Sequence, residues 1–262
     1  VPGISSALDA LLSWTAPLRE TRCVACAVPV PASVPDRGGP FHTASNPALC
    51  PACEAALSRR TAGFCTRCGN LAAHAESTPA PCGDCLAVTR PWDRFFFHGV
   101  YQGQLRDIIL RFKNGHELAL ARLLGTLLAG HPTLAGLTGH YDEVIPMPLH
   151  PRRLRERGFN QALELAKPLA ERLDAPLEFA RLARTGYTHP QAGLSLKERK
   201  RNVLGLFAAE DISGKRLLLV DDIATTCATL ESAATALLGA GAVAVDVAVA
   251  ARTPDHAAGY SV

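Results

Sequence analysis

One stretch, LLLVDDIATTCATL at positions 217–230, narrows the choice of fold more than any other. Leu217–Val220 is continuously apolar, without the alternation of a half-buried strand, and suits a central parallel strand covered on both faces. Two carboxylates, Asp221 and Asp222, follow at once, and a hydroxyl-rich segment then leads into a helical pattern. Strand, acidic edge, loop and helix in that order predict an open α/β sheet, which binds ligands outside the carboxyl ends of its strands. Adjacent carboxylates accept hydrogen bonds from a vicinal diol, such as the two ring hydroxyls of ribose. Free backbone N–H groups at the start of the next helix, aided by the hydroxyls of Thr225, Thr226 and Thr229, cradle a phosphate. A diol and a phosphate held a few residues apart describe a ribose 5-phosphate. The bland alternative is a strand, turn and helix with a capping aspartate.

The stretch resembles the ribose-phosphate signature of type I phosphoribosyltransferases, two acids followed by Thr-Thr-Gly-x-Thr. The resemblance implies binding of phosphoribosyl pyrophosphate (PRPP) by Asp221, Asp222, Ala224, Thr225, Thr226, Cys227, Ala228 and Thr229, with Mg²⁺ accompanying the pyrophosphate. Cys227 stands where the signature has glycine. Glycine takes positive φ freely and lets backbone approach phosphate closely, so cysteine is expected to narrow both options. A thiol at a helix N-terminus is also a candidate for a lowered pKa; a small buried side chain is the plainer reading.

The first third of the chain carries a second constraint. Eight of the nine cysteines form four Cys-x-x-Cys pairs: Cys23/Cys26, Cys50/Cys53, Cys65/Cys68 and Cys82/Cys85. Two intervening residues let both thiolates of a pair bind one ion from a tight knuckle, and two knuckles complete a tetrahedral zinc site. Sequential pairing gives two structural zinc ions in a double zinc ribbon, although spacing alone leaves interleaved pairing open. Disulfides and an iron–sulfur cluster are the competing uses of such cysteines. His42 and His74 lie among the pairs and read as solvated. These features divide the chain into an N-terminal helix and double zinc ribbon at 1–92 and an α/β domain at 93–262.

Elsewhere the chain supplies helices and positive charge. Leu105, Ile108, Ile109 and Phe112 recur at helical spacing up to Gly115, and Leu118, Leu120, Ala121, Leu124 and Leu128 continue in a second helix. Lys113 and Arg111, near their junction, read as surface charges, with a smaller place for Lys113 facing a substrate. A short strand is expected within 141–148. Arg152, Arg153, Arg155 and Arg157 then crowd the start of a helix, where they suit a pyrophosphate or a nucleic-acid backbone. That helix runs from Phe159 and buries Leu163, Ala166, Leu169, Ala170 and Leu173, with a bend or break at Pro168. The stretch 180–202 lacks periodicity and ends in Lys197, Arg199, Lys200 and Arg201. It reads as a long basic lid, with Arg199 and Arg201 as the candidate catalytic residues. A net charge of +3 is too small to imply nucleic-acid binding by itself, and aromatic content of 6% leaves few stacking platforms for single strands. No apolar run approaches the roughly 18 residues of a membrane span.

Taken with YQGQLRDIILRFKNG, VIPMPLHPRRLRERGFNQA and HPQAGLSLKERKRNV, the cysteine pairs and the acidic motif give the chain its resemblance to the ComF family. Arg157, Gly158, Phe159, Asn160 and Gln161 match that family's RGFNQ element, and Gln191, Arg199 and Asn202 match its loop. The resemblance implies a cytoplasmic bacterial protein that handles single-stranded DNA in natural transformation, with competence proteins among its partners. It also implies a site of phosphoribosyltransferase type for PRPP or another ribose 5-phosphate compound, without deciding whether catalysis is retained. An active purine- or pyrimidine-type phosphoribosyltransferase of nucleotide salvage is the alternative.

Overall fold

The computed structural model describes residues 21–30, 48–115, 117–186 and 205–254. The chain forms two compact units, Val1–Ala55 and Ala56–Val262. In the smaller one, a knuckle is closed by the Ala27 amide donating to the Cys23 carbonyl at 2.7 Å, with Ala27 at φ +63°. Cys50 directly precedes a short helix, α1 (Pro51–Ala56), which carries Cys53.

The larger unit opens with a second knuckle and the five-residue helix α2 (Gly83–Ala87). It continues as β1 (Phe95–Val100), α3 (Gly103–Gly115), α4 (Leu118–Ala129), α5 (Pro132–Ala135), β2 (Glu143–Pro146), α6 (Pro151–Arg157) and α7 (Gln161–Leu173). Two short strands, β3 (Leu182–Arg184) and β4 (Phe207–Ala209), precede β5 (Arg216–Ala224), α8 (Ala228–Gly239) and β6 (Ala244–Arg252). Four strands form a parallel sheet in the order β1-β6-β5-β2, while β3 and β4 pair antiparallel beside it. The expected α/β class is therefore present, and the two central strands are those with the longest apolar runs. All nine residues of β6 are buried, as burial on both faces of a parallel sheet requires.

The two faces are covered differently. Alternate residues Phe95, Phe97, Leu217, Leu219, Val245, Val247 and Val249 form one core with α8 residues and with Cys65, Cys68 and Cys85. The second cysteine group is thus part of the sheet's covering layer. Trp92 Nε1 donates to the Arg67 carbonyl at 2.7 Å, and Phe64 meets the Phe97 ring edge-on at 5.0 Å between centroids. Gly69, at φ +69°, packs so tightly that a Cβ there would meet Phe95 Cε1 at 2.6 Å. Leu105, Ile108, Ile109 and Phe112 of α3 are all buried, as their spacing predicts. Burial of each such side chain contributes about 1.5–3 kcal/mol.

Several expectations change in detail. The acid pair lies within β5, not after it, because pairing with β6 continues to Ala224 opposite Arg252. Phe95–Phe97 belongs to the edge strand β1. Helix α7 begins at Gln161, capped by Asn160, whose Oδ1 accepts from the Ala162 amide at 3.0 Å. It buries Leu165 while Leu163 stays half-buried, and it continues past Pro168 to Leu173 without a break. Leu182–Arg184 forms a strand inside the stretch read as a loop; three residues are too few to show periodicity. The expected N-terminal helix, His42 and the basic cluster at 197–201 lie outside the described residues.

Candidate functional site

The carboxyl ends of β2 and β5 open onto a cavity of about 170 Å³. Asp221 and Asp222 enter it from β5, and Thr229 from the first turn of α8. Opposite them stand Arg153 and Arg157 of α6, Asn160 at the cap of α7, Arg184 at the end of β3, and Lys113 from the last turn of α3. Six separate elements converge on this point. A larger cleft of about 330 Å³ at the end of β1, lined by Arg59, Glu76 and Gln102, involves neither acid.

The two acids have different surroundings. Successive strand residues point to opposite faces, so Asp222 faces the α3 side, where its Oδ2 lies 2.8 Å from Lys113 Nζ. Asp221 shares the side of Leu217 and Leu219, and its Oδ1 accepts from the Asp222 amide at 2.8 Å. Burial, and then the charge of Asp222, push the Asp221 carboxyl up to about 7; its amide hydrogen bond, Lys113 and Arg184 oppose the rise only in part. Burial first, then Arg153, pull the Arg184 guanidinium downward, while Asp221 pulls it back up. The cavity therefore holds two carboxylates, one of them ready to release a proton near neutrality, among four cationic side chains. That arrangement suits a ligand with hydroxyls at one place and several anionic oxygens at another.

The rims are positioned locally. Pro151 starts α6, and Gly158, at φ +74°, ends it. Asn160 Nδ2 donates to the Met147 carbonyl at 3.0 Å, tying α7 to the turn after β2. Arg157 Nη1 donates to Gln161 Oε1 at 3.1 Å. Arg152 differs from its neighbours: it pairs with Glu156 at 3.1 Å on the exposed side of α6 and does not line the cavity.

Cys227 adopts the left-handed conformation, φ +62°, directly before α8. The position thus retains the positive φ that glycine takes most readily, although a β-carbon makes it costlier. The thiol is buried and turned inward, with Sγ 3.7 Å from the Cys68 carbonyl oxygen. Thr225 is exposed, and Thr226 and Thr229 are half-buried.

The eight paired cysteines fall into two groups, Cys23/Cys26/Cys50/Cys53 and Cys65/Cys68/Cys82/Cys85, with the ligand atoms of each within 4.8 Å of one another. None of the eight is joined in a disulfide. Zinc–thiolate bonds of about 2.3 Å in a tetrahedron place sulfurs about 3.8 Å apart. Cys26 and Cys50 sulfurs are 3.7 Å apart, and Cys68 and Cys82 sulfurs 3.8 Å. Backbone amides of Arg67 and Cys82 donate to Cys65 Sγ at 3.4 and 3.2 Å, the outer support that thiolate ligands receive. Both groups fit a structural zinc site, paired sequentially.

Sequence reasoning gave Lys113 a minor place and missed Arg184 entirely. Arg184 lies in an aperiodic stretch with no local signal. Arg252 was also missed, yet an arginine closing a strand whose only other charge is Asp246 was visible in AVDVAVAAR. The described residues include no helix long and apolar enough to cross a membrane.

The phosphoribosyl transferase domain family matches residues 160–260. The chain is 35% identical over 210 residues to the DNA utilization protein YhgH of Escherichia coli strain K12, covering 78% of this chain and 90% of that protein. It is 32% identical over 200 residues to competence protein F of Haemophilus influenzae, covering 73% and 84%. It is 28% identical over 208 residues to competence protein ComFC of Bacillus subtilis, covering 74% and 79%.

Proposed function

The chain belongs to the family of DNA utilization protein YhgH, competence protein F and ComFC, and from that membership we propose a cytoplasmic protein that handles single-stranded DNA and carries a PRPP site. The observation behind the PRPP reading is the convergence of the β5 acid pair, Thr229 and four cations on one cavity. Asp221 and Asp222 accept hydrogen bonds from the ribose hydroxyls. The segment 224–229 receives the 5-phosphate on backbone amides and threonine hydroxyls. Arg153, Arg157 and Arg184 face the pyrophosphate, where guanidinium forks pair with anionic oxygens.

Mg²⁺ bound with PRPP supplies further positive charge at the pyrophosphate. The two tetrathiolate groups hold zinc and serve as scaffold. DNA contact is assigned to the arginines of α6, with Arg152 and Arg155 on its exposed side. The basic segment at 197–201, outside the described residues, is a further candidate for both phosphates and catalysis through Arg199 and Arg201. The relatives' printed names support the DNA role, and the matched phosphoribosyl transferase domain supports the nucleotide-sugar site.

Calorimetry with PRPP and Mg²⁺ tests the site. The parent is expected to bind, and Asp221→Ala/Asp222→Ala is expected to lose binding while keeping its zinc. A parent that releases no binding heat at any ligand concentration tried would reduce the cavity to a relic of the fold.

A further inference from the structure

Arg252 closes β6 in register with Ala224, the last residue of β5, and is only 3% exposed. Its guanidinium reaches in two directions. Nε donates to the Cys68 carbonyl at 3.1 Å, and Nη2 contacts Asn70 Oδ1 at 3.4 Å; both partners belong to the second cysteine knuckle. Nη1 donates to the carbonyls of Ala224, at 3.2 Å, and of Thr225. These two residues begin the threonine loop. One buried side chain therefore fastens a metal knuckle to the loop assigned to the 5-phosphate.

Two further contacts run the same way. Arg90 Nε donates to Cys85 Sγ at 3.3 Å, and the same guanidinium pairs with Glu231 in the first turn of α8. The inward thiol of Cys227 lies against the Cys68 carbonyl. The loop and the helix start behind it are thus braced at three points by the second cysteine group. Four thiolates around a divalent ion carry a net charge of −2, which favours the buried guanidinium of Arg252 and the half-buried one of Arg90 beside them.

We infer that Arg252 is a positioning residue for the phosphate loop, and that the metal-loaded second knuckle is the anchor it works from. Its effect on ligand affinity rests on the PRPP reading above; the coupling of knuckle to loop does not. A phosphate cradle of backbone amides binds well only when those amides are already aimed. Arg252 fixes the carbonyls at the entry to the loop, and so fixes the orientation of the peptides that follow. Loss of the metal, or of Arg252, leaves the loop without its brace.

The test uses the zinc-loaded 262-residue chain and its Arg252→Met and Arg252→Lys variants. Tyr141→Phe, which disturbs the same unit away from the loop, is the control for general destabilisation. Zinc content is expected to stay at two per chain in all of them. In Arg252→Met, amide hydrogen exchange across 225–229 is expected to rise about tenfold or more as local opening becomes easier. PRPP affinity is expected to fall by a factor on the order of 5–150, the usual range of site–site coupling. Arg252→Lys should recover part of both, and Tyr141→Phe should show neither.

Coupling is reciprocal. PRPP should therefore tighten zinc retention against a competing chelator at one of the two sites only, and Arg252→Met should abolish that difference. Exchange at 225–229 unchanged by Arg252→Met or by zinc removal overturns the inference. So does equal zinc retention with and without PRPP in a parent that binds it. If the parent does not bind PRPP, the cradle reading fails, and the exchange arm alone decides the coupling. Should Arg252→Met not fold, Arg252→Lys and the chelator competition on the parent still decide it.

Discussion

Lys113 Nζ stands 2.8 Å from Asp222 Oδ2, and these side chains are only 17% and 13% exposed. A lysine from the end of α3 thereby neutralises one of two adjacent carboxylates that would otherwise repel each other at the cavity mouth. The pair explains how β5 carries two acids in succession beside a buried core.

Replacing Lys113 with Met removes that balance and a cation facing the ligand's anionic oxygens. PRPP affinity is expected to fall about 10- to 100-fold, or roughly 1.4–2.8 kcal/mol, with Lys113→Arg intermediate. Calorimetry checks this, and unchanged affinity would take Lys113 out of the site.

The raised Asp221 carboxyl predicts a pH dependence. Its usual value is 3.8, and in the fold it is about 7. Between those values the folded chain holds a proton that the unfolded chain has lost. The group's contribution to stability is therefore full below pH 3.8 and declines as pH rises toward 7. Ligand affinity runs the other way, because a diol grip needs the carboxylate. PRPP affinity should rise up to about tenfold per unit as pH approaches 7, with proton release on binding near pH 6. Calorimetry in buffers of different ionisation heat measures that release. Asp221→Asn should remove this part and leave only the ligand's own titration.

The arginines of α6 make a separate prediction for DNA. Neutralising Arg152, Arg153, Arg155 and Arg157 should weaken single-strand binding regardless of sequence. The slope of log affinity against log salt should fall by up to about 3, since each phosphate contact on a single strand contributes about 0.7. Salt-titrated fluorescence anisotropy on an oligonucleotide checks this. An unchanged slope would route the DNA elsewhere.

Much of this was legible before the structure. Leu217–Val220 announced a buried parallel strand by unbroken apolarity, and the cysteine spacing announced two metal sites. Cys227 was expected to narrow the positive φ open to glycine, yet its backbone keeps φ +62°, at a cost in strain. What was not legible depended on contacts between distant segments. Lys113 looks like any charge at a helix end until α3 is laid across the end of β5. Arg184 sits in a strand of three residues, too short for a pattern. Arg252 acquires its meaning only from register with Ala224.

The fold offers its own check. Tyr141 Oη donates to Asp246 Oδ2 at 2.7 Å, and the Arg94 amide donates to the other carboxylate oxygen at 2.9 Å, inside β6. Tyr141→Phe leaves a buried acceptor short of a donor and should cost about 1–3 kcal/mol. Urea unfolding should show a lower midpoint with an unchanged slope.

The central claim is that two neighbouring acids grip the sugar hydroxyls. Competition of ribose 5-phosphate and 2-deoxyribose 5-phosphate against PRPP tests it most directly, because the two competitors share the phosphate and differ by one hydroxyl. The deoxy sugar is expected to compete about tenfold or more weakly on the parent, the equivalent of one good hydrogen bond to a charged acceptor, and direct titration of Asp221→Asn/Asp222→Asn with the two sugars is expected to show no such preference. Equal competition by both sugars on the parent would contradict the account.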